Sequence, residues 1–174
     1  AIALKKFLNK DRIKIGISSL TWSTSVSPFS LLGYDIYFYD SQINNFGINK
    51  KDLIDSITNQ KIDAILITHI LGFPSVDEEI VRLAKNYGVI ILEDCCEALG
   101  ATVKNKKVGN FGIMSSYSFF YSHHMSTIEG GMFCTSNKKL FDLSKLIRSH
   151  GLSRELEPKT KDINWKKRFY FIEE

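Results

Sequence analysis

Residues 89–100 read VIILEDCCEALG, and the fold turns on how they are taken. Val89 to Leu92 are apolar without alternation, the pattern of a strand buried on both faces, and such strands belong to parallel sheets covered by helices. The run closes on Glu93 and Asp94, so the strand delivers a carboxylate to the carboxyl edge of the sheet, where open α/β sheets gather their functional groups. Glu97 lies on the same side as Asp94 if a helical turn begins there. Asp94 then has a plain reading, a carboxylate capping a helix, beside a functional one. A third reading, the metal-holding acid of a phosphate-loop nucleotidase, requires a G-x-x-x-x-G-K-[ST] loop, which this chain lacks.

Outward from this stretch, short β-branched runs alternate with segments of helical period. Strands are predicted at 13–17 (IKIGI), 35–39 (DIYFY), 63–69 (DAILITH), 89–94 and 115–120 (SSYSFF). Between them, 49–60 repeats apolar residues at Leu53, Ile54 and Ile57, and 75–88 does so at Val76, Ile80, Val81 and Ala84 before a glycine stop at Gly88. MFCTS (132–136) and NKKLFDLSKLIRSHG (137–151) add a further strand and helix, and the opening AIALKKFLNK reads as the back half of a helix. Residues 155–174, polar and aromatic without clear period, read as a loop. The pattern predicts an α/β fold, a mostly parallel sheet flanked by helices.

The chain has 174 residues, 44% hydrophobic and 24% charged, enough for one ordinary globular core. No stretch is long and apolar enough to cross a bilayer, and the first residues lack the pattern of a signal peptide, so a cytoplasmic protein without membrane association is expected. Cys95 and Cys96 are neighbours, too strained to pair with each other, and Cys134 has no obvious mate, which suits reduced thiols. The net charge of +4 is modest and its lysines are scattered, without a stripe of interleaved aromatics. This argues against nucleic acid as a partner and suits a phosphorylated small molecule.

SFFYSHHMSTIEGGM (118–132) sets His123 and His124 side by side. Neighbours in extended chain point to opposite sides, and no H-x-x-x-H or C-x-x-C spacing accompanies them, so no metal site is expected. A structural role or a catalytic one remains open for each.

The segments 91–112 (ILEDCCEALGATVKNKKVGNFG) and 116–154 (SYSFFYSHHMSTIEGGMFCTSNKKLFDLSKLIRSHGLSR), with 18–40 (SSLTWSTSVSPFSLLGYDIYFYD) and 65–74 (ILITHILGFP), closely resemble the DegT/DnrJ/EryC1/StrS group of pyridoxal-phosphate-dependent sugar aminotransferases, of fold type I. The resemblance covers nearly the whole chain. It implies that residues 1–174 are the central part of a large cofactor-binding domain, with the family's phosphate loop before Ala1 and its small carboxyl-terminal domain after Glu174. Family members are dimers, so a homodimer is implied for the full-length protein, and weak cofactor binding for a lone fragment.

At the position of His123 the aminotransferases carry the lysine that tethers the cofactor. Histidine there resembles a smaller branch, the 3-dehydratases that make 3,6-dideoxysugars. In that branch the cofactor works as pyridoxamine phosphate and the histidine removes a proton from its C4′ carbon while the C3 hydroxyl of a 4-keto sugar departs. An imidazole forms no stable covalent link to an aldehyde, which accords with an untethered cofactor. The resemblance further implies that Asp94 pairs with the pyridine nitrogen, that Glu97 stands where the aminotransferases often have glutamine beside the ring hydroxyl, that Trp22 stacks on the ring and that Ser118 holds the phosphate. His69 and His150 occupy motifs that in the family lie near the active site. One dehydratase branch holds an iron–sulfur cluster on cysteines after the HG segment; no cysteine follows Cys134, which implies the cluster-free branch, with L-glutamate regenerating the amine. The implied substrate is nucleotide-linked, GDP-4-keto-6-deoxy-D-mannose on the route to colitose and lipopolysaccharide O-antigen. The alternative is a remnant or regulatory homologue that lost the lysine and kept the fold without catalysis.

Overall fold

In the computed structural model, residues 1–152 and 156 are described. They fall into two compact units, one from Arg12 to Cys134 and a smaller one formed by residues 1–11 with the chain from Thr135 onward.

In the smaller unit α1 (Ile2–Leu8) packs against the long helix of residues 138–148. Leu4 and Leu140 are fully buried. The larger unit begins with β1 (Lys14–Ser18), a short helix α2 (Ser27–Leu31) and β2 (Asp35–Tyr39), then runs α3 (Lys50–Thr58), β3 (Ala64–Thr68), α4 (Glu78–Tyr87) and β4 (Ile90–Asp94). A small hairpin of β5 (Thr102–Val103) and β6 (Lys106–Lys107) precedes β7 (Met114–Ser118) and β8 (Gly131–Cys134), after which α5 (Lys138–Arg148) belongs to the smaller unit. The sheet order is β2-β1-β3-β4-β7-β8, parallel throughout except for β8, which runs antiparallel to β7.

The helix boundaries follow capping chemistry. Asn49 accepts the backbone N–H groups of Lys51 and Asp52 at the start of α3, and Asp77 accepts that of Ile80 at the start of α4. Gly88 ends α4 in the left-handed region at φ 71°, as its sequence position predicts. α3 and α4 lay Leu53, Ile57, Ile80 and Ala84 against Ile65, Ile67 and Ile91 of β3 and β4. On the opposite face Ala64, Leu66 and Leu92 are also buried. Truncating one of these isoleucines to alanine costs about 2–5 kcal/mol.

The structure departs from the sequence reading at β2, at the hairpin β5–β6 and at α2. β2 leaves Tyr37 and Phe38 exposed, because it is an edge strand of the described sheet. The hairpin β5–β6 and the helix α2 went unpredicted, since two-residue strands and a five-residue helix carry too few residues to show a period. Residues 155–174, read above as a loop, lie outside the described residues apart from Leu156.

Candidate active site

The site is built at the carboxyl edge of β1, β3, β4 and β7, all parallel. The register places Thr68, Asp94 and Ser116 side by side at the ends of β3, β4 and β7. The ladder runs one residue further on each side, with the His69 N–H donated to the Asp94 carbonyl at 3.0 Å and the Cys95 N–H to that of Ser116 at 2.9 Å.

Asp94 is half-buried, and its carboxylate is held at both oxygens. Oδ1 accepts the Cys96 N–H at 3.1 Å and Oδ2 accepts the Ser25 hydroxyl at 2.9 Å. No helix follows β4; residues 95–100 form turns, so Asp94 caps a turn. Beside this charge, burial and then Asp94 itself push the Cys96 thiol up to about 12, which leaves it protonated and a poor nucleophile at neutral pH.

The loop after β1 reaches over this edge. Thr21 Oγ1 lies 3.1 Å from Thr68 Oγ1, and a 3₁₀ turn at Ser23–Ser25 carries the Ser25 hydroxyl to Asp94. The same turn leaves the Trp22 side chain 73% exposed. An indole so open to water, one turn from a fixed carboxylate, presents a free aromatic face.

β7 ends at Ser118, whose Oγ accepts the Phe120 N–H at 3.2 Å. The loop to β8 is braced at its base by two backbone bonds, Phe119 N–H to the Gly130 carbonyl and Thr127 N–H to the Phe119 carbonyl, each 2.9 Å. Within it, the His123 N–H is donated to the Phe120 carbonyl at 3.0 Å, and the imidazole sits edge-on to the Phe120 ring with centroids 6.3 Å apart. His123 is thus half-buried against an aromatic, whereas His124 is exposed.

Glu97 and His69 have structural partners. The Glu97 carboxylate accepts the Leu71 N–H at 2.7 Å, holding a turn in which Leu71 adopts φ 52°. His69 is fully buried: its Nδ1 accepts the Ser75 N–H at 3.0 Å, and its Nε2 lies 3.1 Å from Glu93 Oε2. Because Ser75 N–H can only donate, the ring proton is on Nε2, and a neutral imidazole donates to the carboxylate rather than forming an ion pair with it. His150 belongs to the smaller unit, where it is exposed at φ 56°.

Glu93, which sequence reasoning passed over, is the hub beneath the site. Besides His69 it accepts the N–H groups of Gly109 at 2.7 Å, Phe111 at 2.7 Å and Gly112 at 2.6 Å. Burial works to raise its carboxyl, but the hydrogen bonds from His69, Gly112 and Gly109 outweigh it and hold the group below the usual range. The signal was present: a carboxylate inside a strand buried on both faces must find donors. Ser25 was also missed, and one serine among several in WSTSVS gives no sign of reaching across the sheet edge. Cys95 lies close to His69 and Glu93 in a buried cluster, in which the latter two already commit their polar atoms to each other and to backbone amides.

The donor set suits pyridoxal phosphate. Asp94 Oδ1 accepts the Cys96 N–H and Oδ2 the Ser25 hydroxyl, and the carboxylate keeps capacity that a protonated ring nitrogen can fill; Trp22 offers an aromatic face and Ser118 a hydroxyl at the same edge.

The sequence model of the DegT/DnrJ/EryC1/StrS aminotransferase family matches residues 1–168. The GDP-4-keto-6-deoxy-D-mannose 3-dehydratase of Escherichia coli O55:H7 is 37% identical over 164 residues, covering 92% of this chain and 42% of that protein. The enzyme of the same name from Yersinia pseudotuberculosis is 34% identical over 159 residues, 89% of this chain and 40% of that one. Among solved structures, a mutant GDP-4-keto-6-deoxymannose-3-dehydratase with bound GDP-perosamine superposes with a TM-score of 0.84 at 34% identity, over 92% of this chain and 43% of that one. The E. coli dehydratase with bound hydrated PLP gives a TM-score of 0.80 at 36% identity, over 85% and 38%. The chain spans about two fifths of the length of the relatives it matches. With the family pattern matched over nearly its whole length and the parallel sheet carrying the expected carboxylate at its edge, the chain belongs to the DegT/DnrJ/EryC1/StrS aminotransferase family.

Proposed function

We propose that the protein is a pyridoxal-phosphate-dependent 3-dehydratase that removes the C3 hydroxyl of a nucleotide-linked 4-keto-6-deoxyhexose, GDP-4-keto-6-deoxy-D-mannose in the first instance. The observation that carries the reading is His123, an imidazole on the loop that follows β7 at the edge where Asp94 stands, in a position the aminotransferases fill with lysine. When bound, the cofactor supplies an electron sink that lets a proton leave one carbon and a hydroxyl leave another.

The chain's own residues have the following parts. Asp94 keeps the ring nitrogen protonated by placing a negative charge against it. Trp22 would stack on the ring and Ser118 would hold the phosphate, while Glu97 secures the turn at Leu71. His123 takes up and returns a proton at a ring nitrogen, for which imidazole is suited because its ordinary pKa lies near the working pH. His69 supports Glu93 from below, and His150 stands as a candidate neighbour of the substrate. Further parts of the proposal are L-glutamate as amino donor, the absence of an iron–sulfur cluster, a homodimer of the full-length protein and a cytoplasmic setting. They rest on the family resemblance set out above.

The test is to supply the full-length protein with pyridoxal phosphate, L-glutamate and GDP- or CDP-linked 4-keto-6-deoxyhexose and identify the sugar product. A 4-keto-3,6-dideoxysugar from the GDP substrate is expected. A 4-amino sugar would make the protein an aminotransferase, and cofactor binding without turnover of either substrate would favour the catalytically idle homologue.

A further inference from the structure

We infer that Ser25 is a positioning residue for Asp94, its hydroxyl locking the carboxylate in the orientation that receives a protonated ring nitrogen; the inference rests on the pyridoxal-phosphate reading above. An ionised carboxylate only accepts, so in the 2.9 Å contact the Ser25 hydroxyl is the donor and Asp94 Oδ2 the acceptor. The terminal torsion of an aspartate is broad, and the Cys96 N–H on Oδ1 restrains one oxygen only. With Ser25 on the other, the group is held at both ends.

The hydroxyl is not needed to build the turn it sits on. Ser25 N–H closes that turn on the Trp22 carbonyl at 2.9 Å, and Val26 N–H closes the next on the Ser23 carbonyl at 3.1 Å, both through backbone. Nor is Ser25 a surface residue whose contact is incidental, since it is 8% exposed while Trp22 on the same turn is 73% exposed. The turn therefore performs two tasks at once, presenting an aromatic face and orienting the charge beside it. A hydrogen bond to a charged group is also about twice as strong as a neutral one, which makes this contact consequential for whatever Asp94 meets next.

The experiment measures binding rather than turnover. The full-length protein, Ser25→Ala and Ser25→Thr are titrated with pyridoxal 5′-phosphate and with its 1-deaza analogue, in which a C–H replaces the ring nitrogen, following tryptophan fluorescence. Ser25→Ala is expected to weaken pyridoxal phosphate about tenfold while binding the deaza analogue as the unmodified protein does, and Ser25→Thr, which keeps the hydroxyl, to stay within about threefold on both. Equal weakening of both ligands by Ser25→Ala would make the serine a merely structural part of the loop and overturn the inference. So would unchanged binding of both, or a loss in Ser25→Thr as large as in Ser25→Ala. If the unmodified protein binds the two ligands equally well, Asp94 does not pair with the ring nitrogen; if it binds neither, the cofactor reading itself is wrong.

Discussion

At Asp94 two hydrogen bonds leave a charge fixed in place with capacity still open, and at His123 an aromatic neighbour holds one imidazole of a pair while the other faces water. Asp94→Asn keeps the shape and removes the charge. Cofactor affinity should fall, and turnover should drop by about 2 to 3 powers of ten, the size of losing one well-placed electrostatic partner. Near-normal turnover would show that the carboxylate does not support the ring nitrogen. His123→Asn should lower single-turnover dehydration by about 2 to 4 powers of ten with cofactor binding retained, the range for a missing general base. His124→Asn should lose far less. Were the losses reversed, the base would be His124, and the half-buried seat of His123 against Phe120 would be packing alone.

Among the elements, β4 does the most. Its last two residues point their carboxylates to different ends: Asp94 to the open edge and Glu93 into a cage of donors from the 109–112 loop and His69. The loop can come so close because two glycines stand where side chains cannot. A Cβ on Gly109 would collide with the Tyr117 hydroxyl at a backbone φ of 88°, and one on Gly112 would sit 2.5 Å from the Ile91 carbonyl oxygen. Glu93→Gln turns one of the two acceptor oxygens into an NH2 donor that faces donors. A loss of about 3 kcal/mol of stability is expected, measured by urea unfolding, since a buried unsatisfied donor costs about 1–3 kcal/mol and more when a charge is involved. The pH dependence has a definite sign. The folded carboxyl titrates below its ordinary 4.5, so the unfolded chain binds the proton more readily. The contribution of Glu93 is therefore complete above about pH 4.5 and is lost as pH falls through the lower folded value. Glu93→Gln should show a flatter stability profile across that acid range; an unchanged profile would mean the cage does not depend on charge.

For the whole molecule, the reading that sets His123 at the position of the family's lysine makes a chemical forecast that needs no substrate. Borohydride added to the cofactor complex of the full-length protein should leave the polypeptide unmodified, as judged by mass, because imidazole forms no stable covalent link to the cofactor aldehyde. A reduced pyridoxyl group on a lysine of the pocket would contradict the untethered arrangement. The two compact units divide the candidate residues unevenly: Trp22, His69, Asp94, Glu97, Ser118 and His123 fall in the unit from Arg12 to Cys134, and His150 in the other.

The sequence by itself determined the class of fold and placed Asp94 at the carboxyl edge of the sheet. Apolar runs such as IILE and AILIT admit few arrangements other than buried parallel strands, and the glycine stop at Gly88 placed the end of α4. It also pointed to Asp94, because the end of a buried strand is a position that periodicity locates, and to His123 through the family resemblance. The partners of these residues were decided only by tertiary structure. Nothing in the spacing shows that Ser25 would cross from the β1 loop to Asp94, that Glu97 would turn to the Leu71 amide instead of lining up with Asp94 on a helix, or that Glu93 would gather three amides and His69. The physical reason is that periodicity reports which face of an element is buried, whereas hydrogen bonds at strand ends depend on how loops far apart in sequence are brought together by the sheet order.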